Sequence, residues 1–109
     1  MDKQEGMRIE EPEAVVKIEK GAMSEEKRLE YGTLYKNKGT VKFEAGKWDD
    51  AIEDYTVAIS IASDYGLAYY NRAIANHSVG KLLDACSDLK ISEKYGARTD
   101  GKIKEKICQ

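Results

Sequence analysis

Apolar side chains recur every three or four residues along most of this chain, the spacing that places them on one face of an α-helix. The pattern predicts four helices and a short fifth one, over about residues 24–45, 48–62, 67–79, 82–94 and 100–107. The second and fourth helices are expected to bury these stripes: Trp48, Ala51, Ile52, Tyr55, Ala58, Ile59 and Ala62; Leu82, Ala85, Cys86, Leu89 and Ser92. Sustained period-two alternation is missing from the sequence, so the predicted fold class is all-α, without strands.

Capping residues and glycines mark the predicted helix ends. Ser24 is a good N-cap for the first helix, which is expected to be continuous or to break near Gly32. Ser63 or Asp64 is expected to cap the third helix. Gly46 and Gly80 are expected to end the first and third helices. Gly96 is expected to end the fourth helix as a left-handed C-cap.

The segment from Lys36 to Asp54 is repeated from Tyr70 to Asp88, with a shift of 34 residues. A period of this length is typical of stacked helix–turn–helix units. Antiparallel helices approach closely only where small side chains lie at the crossing, and small residues recur at matched positions: Gly39 and Ala73, Ala51 and Ala85, Ala58 and Ser92. The repeat therefore predicts helical hairpins that pack through small residues.

This alternation of small, aromatic and glycine positions resembles the tetratricopeptide repeat family over about residues 32–99. The resemblance implies two repeats, at about 32–65 and 66–99, as antiparallel hairpins of a TPR-like α-α superhelix. Ser63 and Ala97 replace the proline that often closes each repeat. Because three repeats are usually needed for stability, the helix at about 100–107 is expected to act as a C-terminal capping helix.

The first 23 residues form an expected acidic, flexible leader before a domain at 24–109, since they are rich in Glu and Lys. The alternative is that their apolar patch, Ala14 to Val16 with Ile18, docks on the folded part.

The total composition excludes several classes of function. A net charge of −2 gives no argument for binding nucleic acid or an anionic membrane. No run of eighteen apolar residues is present, so nothing in the sequence is expected to span a bilayer. Cys86 and Cys108 make no disulfide framework and are expected to be thiols, which favours a reducing, cytoplasmic compartment.

The resemblance implies that the first helix of each unit lines a concave groove that binds a segment of another protein. The residues expected to line this peptide-binding groove combine a cation, aromatic rings, an amide and a histidine: Lys36, Thr40, Phe43, Tyr70, Asn71, Ile74 and His77. Such a mixture suits an extended peptide, because polar groups hold its backbone and apolar groups take its side chains. The expected function is that of a protein-binding adaptor or scaffold.

One alternative is narrower. Lys36, Asn71 and the residues around them look like the co-chaperone tetratricopeptide domains that bind acidic C-terminal tails of heat-shock chaperones. Those domains use a five-residue clamp for two carboxylates. Lys36 and Asn71 match that clamp, whereas Thr40, Gly101 and Glu105 replace its other three residues.

The remaining alternatives are a homo-oligomerising structural module and a fragment of a longer repeat array. An enzyme is not expected, because no catalytic constellation surrounds Cys86 or Cys108. Neither a cofactor nor a metal is expected, since His77 is the single histidine and no Cys/His cluster accompanies it. The run of Asp49, Asp50, Glu53 and Asp54 is interpreted as a solvated face and capping turn.

Overall fold

The computed structural model describes residues 23–109, and the regular structure in this range is entirely helical. Its helices are α1 (Glu25–Glu44), α2 (Trp48–Ile61), α3 (Gly66–Ser78), α4 (Leu82–Lys94) and α5 (Gly101–Ile107). Helices α1 and α2 form one antiparallel hairpin, α3 and α4 form a second, and α2 packs against α3. Helix α5 lies against α4 at the end of the stack. This all-α helical-repeat fold with a capping helix is the predicted one; the leader, apart from Met23, lies outside the described residues.

The helix ends follow from local signals. Ser24 Oγ accepts a hydrogen bond from the Lys27 amide at 3.1 Å, which caps α1 as predicted. The left-handed conformation predicted for Gly96 is confirmed by its φ angle of 87°, and Gly46 and Gly80, which were predicted as helix ends, adopt it too, with φ angles of 81° and 85°. Helix α1 runs through Gly32 without interruption, so the alternative of a break there is wrong.

The predicted cap of α3 is also wrong. The N-cap position is Tyr65, and it makes no side-chain capping hydrogen bond. The turn is held instead by the Tyr69 hydroxyl, which donates to the Ser63 carbonyl at 2.9 Å. A Cβ at Gly66 would lie 3.0 Å from the Ser92 carbonyl oxygen, so close packing of α4 selects glycine at the first position of α3.

Small residues lie at the helix crossings, as the repeat predicts. A Cβ built on Gly39 would lie 2.7 Å from the Tyr55 ring, so the ring occupies the space that a side chain would need. The other predicted crossing residues are fully buried: Ala51, Ala58, Ala73, Ala85 and Ser92.

The predicted buried stripes are partly wrong at the start of each second helix. Trp48 is 40% exposed and Leu82 is 54% exposed, and these two residues are 34 positions apart. Both are the first residue of their helix, where the helix lies at the edge of its hairpin. In α2, Ile61 is fully buried, whereas Ile59 is half-buried.

Asp54 is buried, so its interpretation as part of a solvated acidic face is wrong. Its carboxylate lies 2.8 Å from Lys42 Nζ on α1, and hydrogen bonding to that carboxylate raises the pKa of Lys42. The equivalent residues of the second hairpin make the same connection, because Asn76 Nδ2 donates to Asp88 Oδ2 at 3.0 Å. Each hairpin thus has a polar link at the same register.

The prediction of two free thiols is wrong as well. Cys86 on α4 and Cys108 after α5 form a disulfide, with an S–S distance of 2.08 Å. They meet because Ile107 is buried against Ala85 and Leu89, which brings the adjacent Cys108 beside α4.

Helix α5 is also held by its own cap and by an ion pair. Asp100 Oδ1 accepts a hydrogen bond from the Lys102 amide at 2.8 Å. Lys104 Nζ lies 3.2 Å from the Glu93 carboxylate on α4. Together with Ile107, these contacts place α5 over the end of the second hairpin.

None of the helices in residues 23–109 combines the length and hydropathy of a transmembrane segment.

Candidate functional site: a groove between α1 and α3

A pocket of about 100 Å³ lies where α1 and α3 are neighbours. The predicted groove residues that line it are Thr40 and Phe43 from α1 and Asn71 and Ile74 from α3. Within each helix the two residues are three positions apart, which places them on one face. Tyr55 from α2 lies behind them and completes the lining. The sequence indicated Tyr55 as a core residue, and no signal in its own segment distinguishes a core ring from one that also forms a pocket floor.

The floor of the pocket is satisfied internally and carries no charge. The Thr40 hydroxyl lies 3.1 Å from the Lys36 carbonyl and 3.0 Å from the Tyr55 hydroxyl. Burial raises the pKa of Tyr55, an effect that the hydrogen bond with Thr40 partly opposes. The Tyr55 phenol therefore stays neutral at physiological pH, and the floor offers an apolar ring beside a paired hydroxyl.

Asn71 is the polar group of the pocket that remains available. It is half-buried, and its carboxamide makes no hydrogen bond to another residue within 23–109. A carboxamide can donate two hydrogen bonds and accept others, which matches the alternating groups of a peptide backbone. Asn71 can thus hold an extended chain whose side chain enters the pocket.

The structure separates the other predicted groove residues from this pocket. Tyr70 packs against the cluster formed by Ala73, Leu89 and Ile107, so its ring adds to the apolar surface against which Ile107 of α5 packs. Lys36 and His77 are half-buried and do not line the pocket. The sequence could not make this distinction, because the position of α5 depends on tertiary packing. The binding role of all these residues stays a prediction.

Two positions of the five-residue carboxylate clamp of co-chaperone domains fall on α5. Gly101 and Glu105, both exposed on α5, occupy the two positions where that clamp has basic residues. Lys104 is paired with Glu93 and is not free to replace them. Gly101 and Glu105 therefore supply no cation at these two positions.

A larger cavity of about 650 Å³ lies outside the groove, where the start of α1 meets the turns after α2 and α4. Its cation, Arg28, is already engaged, because Nη2 lies 2.7 Å from one Glu25 oxygen and Nη1 contacts the Ile61 carbonyl at 3.4 Å. The hydrogen bond to Glu25 raises the pKa of Arg28. We place the candidate site in the smaller groove pocket because it combines an apolar lining with a polar group, Asn71, that makes no side-chain hydrogen bond to the described part of the chain.

A metal centre finds no support in the part of the chain that the structure describes. Among residues 23–109, His, Cys, Asp and Glu side chains do not form a group of three or more that could hold an ion.

The helical part of the chain is similar to a known protein family. A family model described as TPR repeat matches residues 39–80, from the middle of α1 to the turn after α3. Together with the stacked helical hairpins, this match supports a tetratricopeptide repeat protein. TPR repeats generally mediate protein–protein interaction and are not catalytic modules. Comparison with curated proteins and with solved structures gives no significant match.

Proposed function

We propose that this chain is an adaptor or scaffold module with two tetratricopeptide repeats, and that its α1–α3 groove binds an extended segment of a partner protein. The observation that carries the proposal is the pairing of a small apolar pocket with the carboxamide of Asn71, which makes no hydrogen bond within residues 23–109. Both features occur on the face that the first helices of the two hairpins share.

The pocket size limits what can enter it. An apolar cavity of about 150 Å³ accommodates benzene, so the pocket of about 100 Å³ suits one branched aliphatic side chain. The Phe43 ring and the Ile74 side chain supply apolar contact, and Asn71 holds the adjoining backbone. The expected ligand is therefore an extended segment with a Val, Ile or Leu side chain at its centre.

Selection of random dodecapeptides displayed on phage, with the full chain immobilised, tests the proposal. Enriched peptides should carry a branched aliphatic residue, and Asn71→Ala should weaken their binding about tenfold, as expected for a lost hydrogen bond of about 1.4 kcal/mol. Asn37→Ala is the matched control, because Asn37 lies 34 residues earlier and is exposed on α1. Equal affinities of the two variants for the selected peptides, with unchanged helical content, would refute the assignment of the groove.

The narrower candidate is binding of the acidic C-terminal tail of a chaperone. The matches at Lys36 and Asn71 favour it, and the acidic Glu105 opposes it. Titration with a free acidic C-terminal peptide discriminates between the two candidates. If Lys36→Ala leaves the affinity for that peptide unchanged, the clamp hypothesis is wrong.

A cytoplasmic location stays a prediction. Part of its support was the interpretation of both cysteines as thiols, and the Cys86–Cys108 bond removes that part.

A further inference from the structure

A second concave surface lies at the edge of the stack where α1 and α3 begin and where α2 and α4 end. It is the cavity of about 650 Å³, with walls from the start of α1, the turn between α2 and α3, and the turn after α4. We call it the edge cavity. Ligand sites typically have volumes of about 300–1,000 Å³. The edge cavity falls in this range, and it shares no lining residue with the groove pocket.

Large apolar side chains from three separate elements are exposed at the edge cavity. Leu29 of α1 is 60% exposed, Leu67 of α3 is 43% exposed, and Tyr95, which follows α4, is 40% exposed. The backbone beneath them is closely packed, because a Cβ at Gly66 would lie 3.1 Å from the Tyr95 carbonyl oxygen. Clusters of exposed apolar side chains mark surfaces that contact other molecules. The fold therefore holds three such side chains around one cavity.

The charged groups of the edge cavity are mainly acidic. Glu25, Glu26 and Asp64 line it together with one cation, Arg28. Arg28 is paired with Glu25, whereas Glu26 and Asp64 form no salt bridge within residues 23–109. Three carboxylates and one guanidinium leave an excess of two negative charges. A cationic group is therefore the complement of this rim.

The exposure of the apolar side chains favours a segment of another protein over a small molecule. Pockets for small ligands typically bury about 70–90% of the ligand surface. The edge cavity is instead open, since Leu29, Leu67 and Tyr95 each keep a large part of their surface in solvent. An apolar centre with a charged rim is the usual anatomy of an interface between proteins.

We propose that the edge cavity is a second docking surface, which binds a partner segment that carries a large apolar side chain next to Lys or Arg. The apolar side chain contacts Leu29, Leu67 and Tyr95, and the adjoining cations lie beside Glu26 and Asp64. Charge complementarity speeds association and disfavours acidic partners. Because the groove pocket uses other residues, one chain can hold two segments at the same time.

Fluorescence anisotropy with the full chain and a labelled peptide tests the proposal. The probe is Gly-Lys-Lys-Leu-Trp-Lys-Lys-Gly, and the charge control is the same peptide with Glu in place of each Lys. The lysine peptide should bind and the glutamate peptide should not. Raising the salt from about 0.1 M to about 1 M should weaken binding, because the screening length falls from about 10 Å to about 3 Å.

The apolar contacts are tested by a variant with Leu29→Ala and Leu67→Ala together. Its affinity for the lysine peptide should fall at least about fivefold, as expected when an interface loses side chains at its centre. Leu83→Ala is the matched control, because Leu83 is 88% exposed on α4 and does not line the cavity. That variant should keep the affinity of the unsubstituted chain.

The charged contacts are tested by a variant with Glu26→Gln and Asp64→Asn together. It should bind the lysine peptide more weakly, and its affinity should depend less on salt. Glu105→Gln is the matched control, since Glu105 is exposed on α5, outside the cavity. Its affinity and its salt dependence should be those of the unsubstituted chain.

Four results would overturn the proposal. They are the absence of binding by the lysine peptide, equal binding of the lysine and glutamate peptides, an affinity that the substitutions at Leu29 and Leu67 leave unchanged, and a loss of binding in Asn71→Ala. The last result would place the probe in the groove. A groove that binds no peptide leaves all these measurements unaffected, so the two surfaces are tested separately.

Discussion

Arg72 Nε and Nη2 lie 2.8 Å and 2.9 Å from the two carboxylate oxygens of Asp88, so one guanidinium joins α3 to α4. Arg72 Nη1 also donates to Thr56 Oγ1 on α2 at 3.1 Å, which connects the two hairpins. Hydrogen bonding to Asp88 raises the pKa of Arg72. Since Asp88 is only 4% exposed, loss of its cation would leave a buried carboxylate with one remaining side-chain partner, Asn76.

Arg72→Met should therefore be strongly destabilising. Breaking a buried pair by removing one partner typically costs about 3–5 kcal/mol, and the partly exposed guanidinium places the expected loss near the lower figure, about 3 kcal/mol. Urea unfolding followed by circular dichroism measures it. Lys38→Met is the matched control, because Lys38 occupies the equivalent position of α1 and is exposed; its effect should stay within about 0.5 kcal/mol. Similar losses for both variants would contradict the structural role of the Arg72–Asp88 pair.

Gly39→Ala should destabilise the first hairpin by overpacking. The new methyl group would lie 2.7 Å from a buried ring carbon of Tyr55 and 3.1 Å from the Ala51 carbonyl oxygen. Overpacking of a well-packed core typically costs about 1–3 kcal/mol. Thermal unfolding should show a lower midpoint. An unchanged midpoint would mean that α1 and α2 can separate at this crossing without cost.

Gly101→Ala provides the comparison for that experiment. A Cβ at Gly101 meets no atom within 4 Å, and the residue lies at the first position of α5. Replacing glycine by alanine in a helix gains up to about 1 kcal/mol. The midpoint of this variant should equal or exceed that of the unsubstituted chain.

Reduction of the Cys86–Cys108 bond should lower the free energy of unfolding by about 3 kcal/mol, the magnitude expected for closing a loop of this length. Unfolding with and without a dithiol reductant measures the difference. The Cys86→Ser, Cys108→Ser double variant should match the reduced chain and not respond to reductant. Two thiols that titrate in the native, air-exposed protein would contradict the disulfide.

Glu93 should make the docking of α5 depend on pH. A hydrogen bond from Thr99 at 2.7 Å and the Lys104 ammonium lower the pKa of Glu93 below its ordinary value of 4.5. A carboxylate with a lower pKa in the folded state contributes stability that is fully present above about pH 4.5 and is lost as the pH falls through the folded value.

Glu93→Gln should therefore be less stable than the unsubstituted chain at pH 6, and the difference should shrink at pH 3. Denaturant midpoints at the two pH values measure the change. The control is Glu105→Gln. Glu105 is an exposed glutamate on α5 that makes no ion pair within residues 23–109. A difference for Glu93→Gln that stays constant between pH 6 and pH 3 would exclude this linkage.

The features that the sequence predicted correctly depend on neighbouring residues, and those that it did not predict depend on residues far apart in the chain. The ends of α4 were predicted as Leu82 and Lys94, and α5 was predicted within one residue at its start. These features depend on apolar spacing and capping within a few neighbouring residues. Thr40, Phe43, Asn71 and Ile74 were also expected on shared helix faces, because a helical period fixes which residues share a face, and the structure places all four around one pocket. Their role in binding stays a prediction.

Errors occurred where a residue's environment comes from another helix. Asp54 was assigned to the solvent because its neighbours in sequence are acidic, whereas α1 buries it and supplies Lys42. For Tyr70 the sequence did not indicate that its ring packs against the cluster containing Leu89 and Ile107; its binding role stays a prediction.

The sequence by itself determined that this chain forms paired α-helices with glycine ends and small residues at the crossings, because these properties follow from helical periodicity and backbone sterics. Only the tertiary structure decided that Cys86 meets Cys108, that Asp54 and Asp88 are buried beside cations, and that a pocket opens beside Asn71. Those features depend on the distance between helices that are far apart in the chain, and periodicity along one helix does not encode that distance.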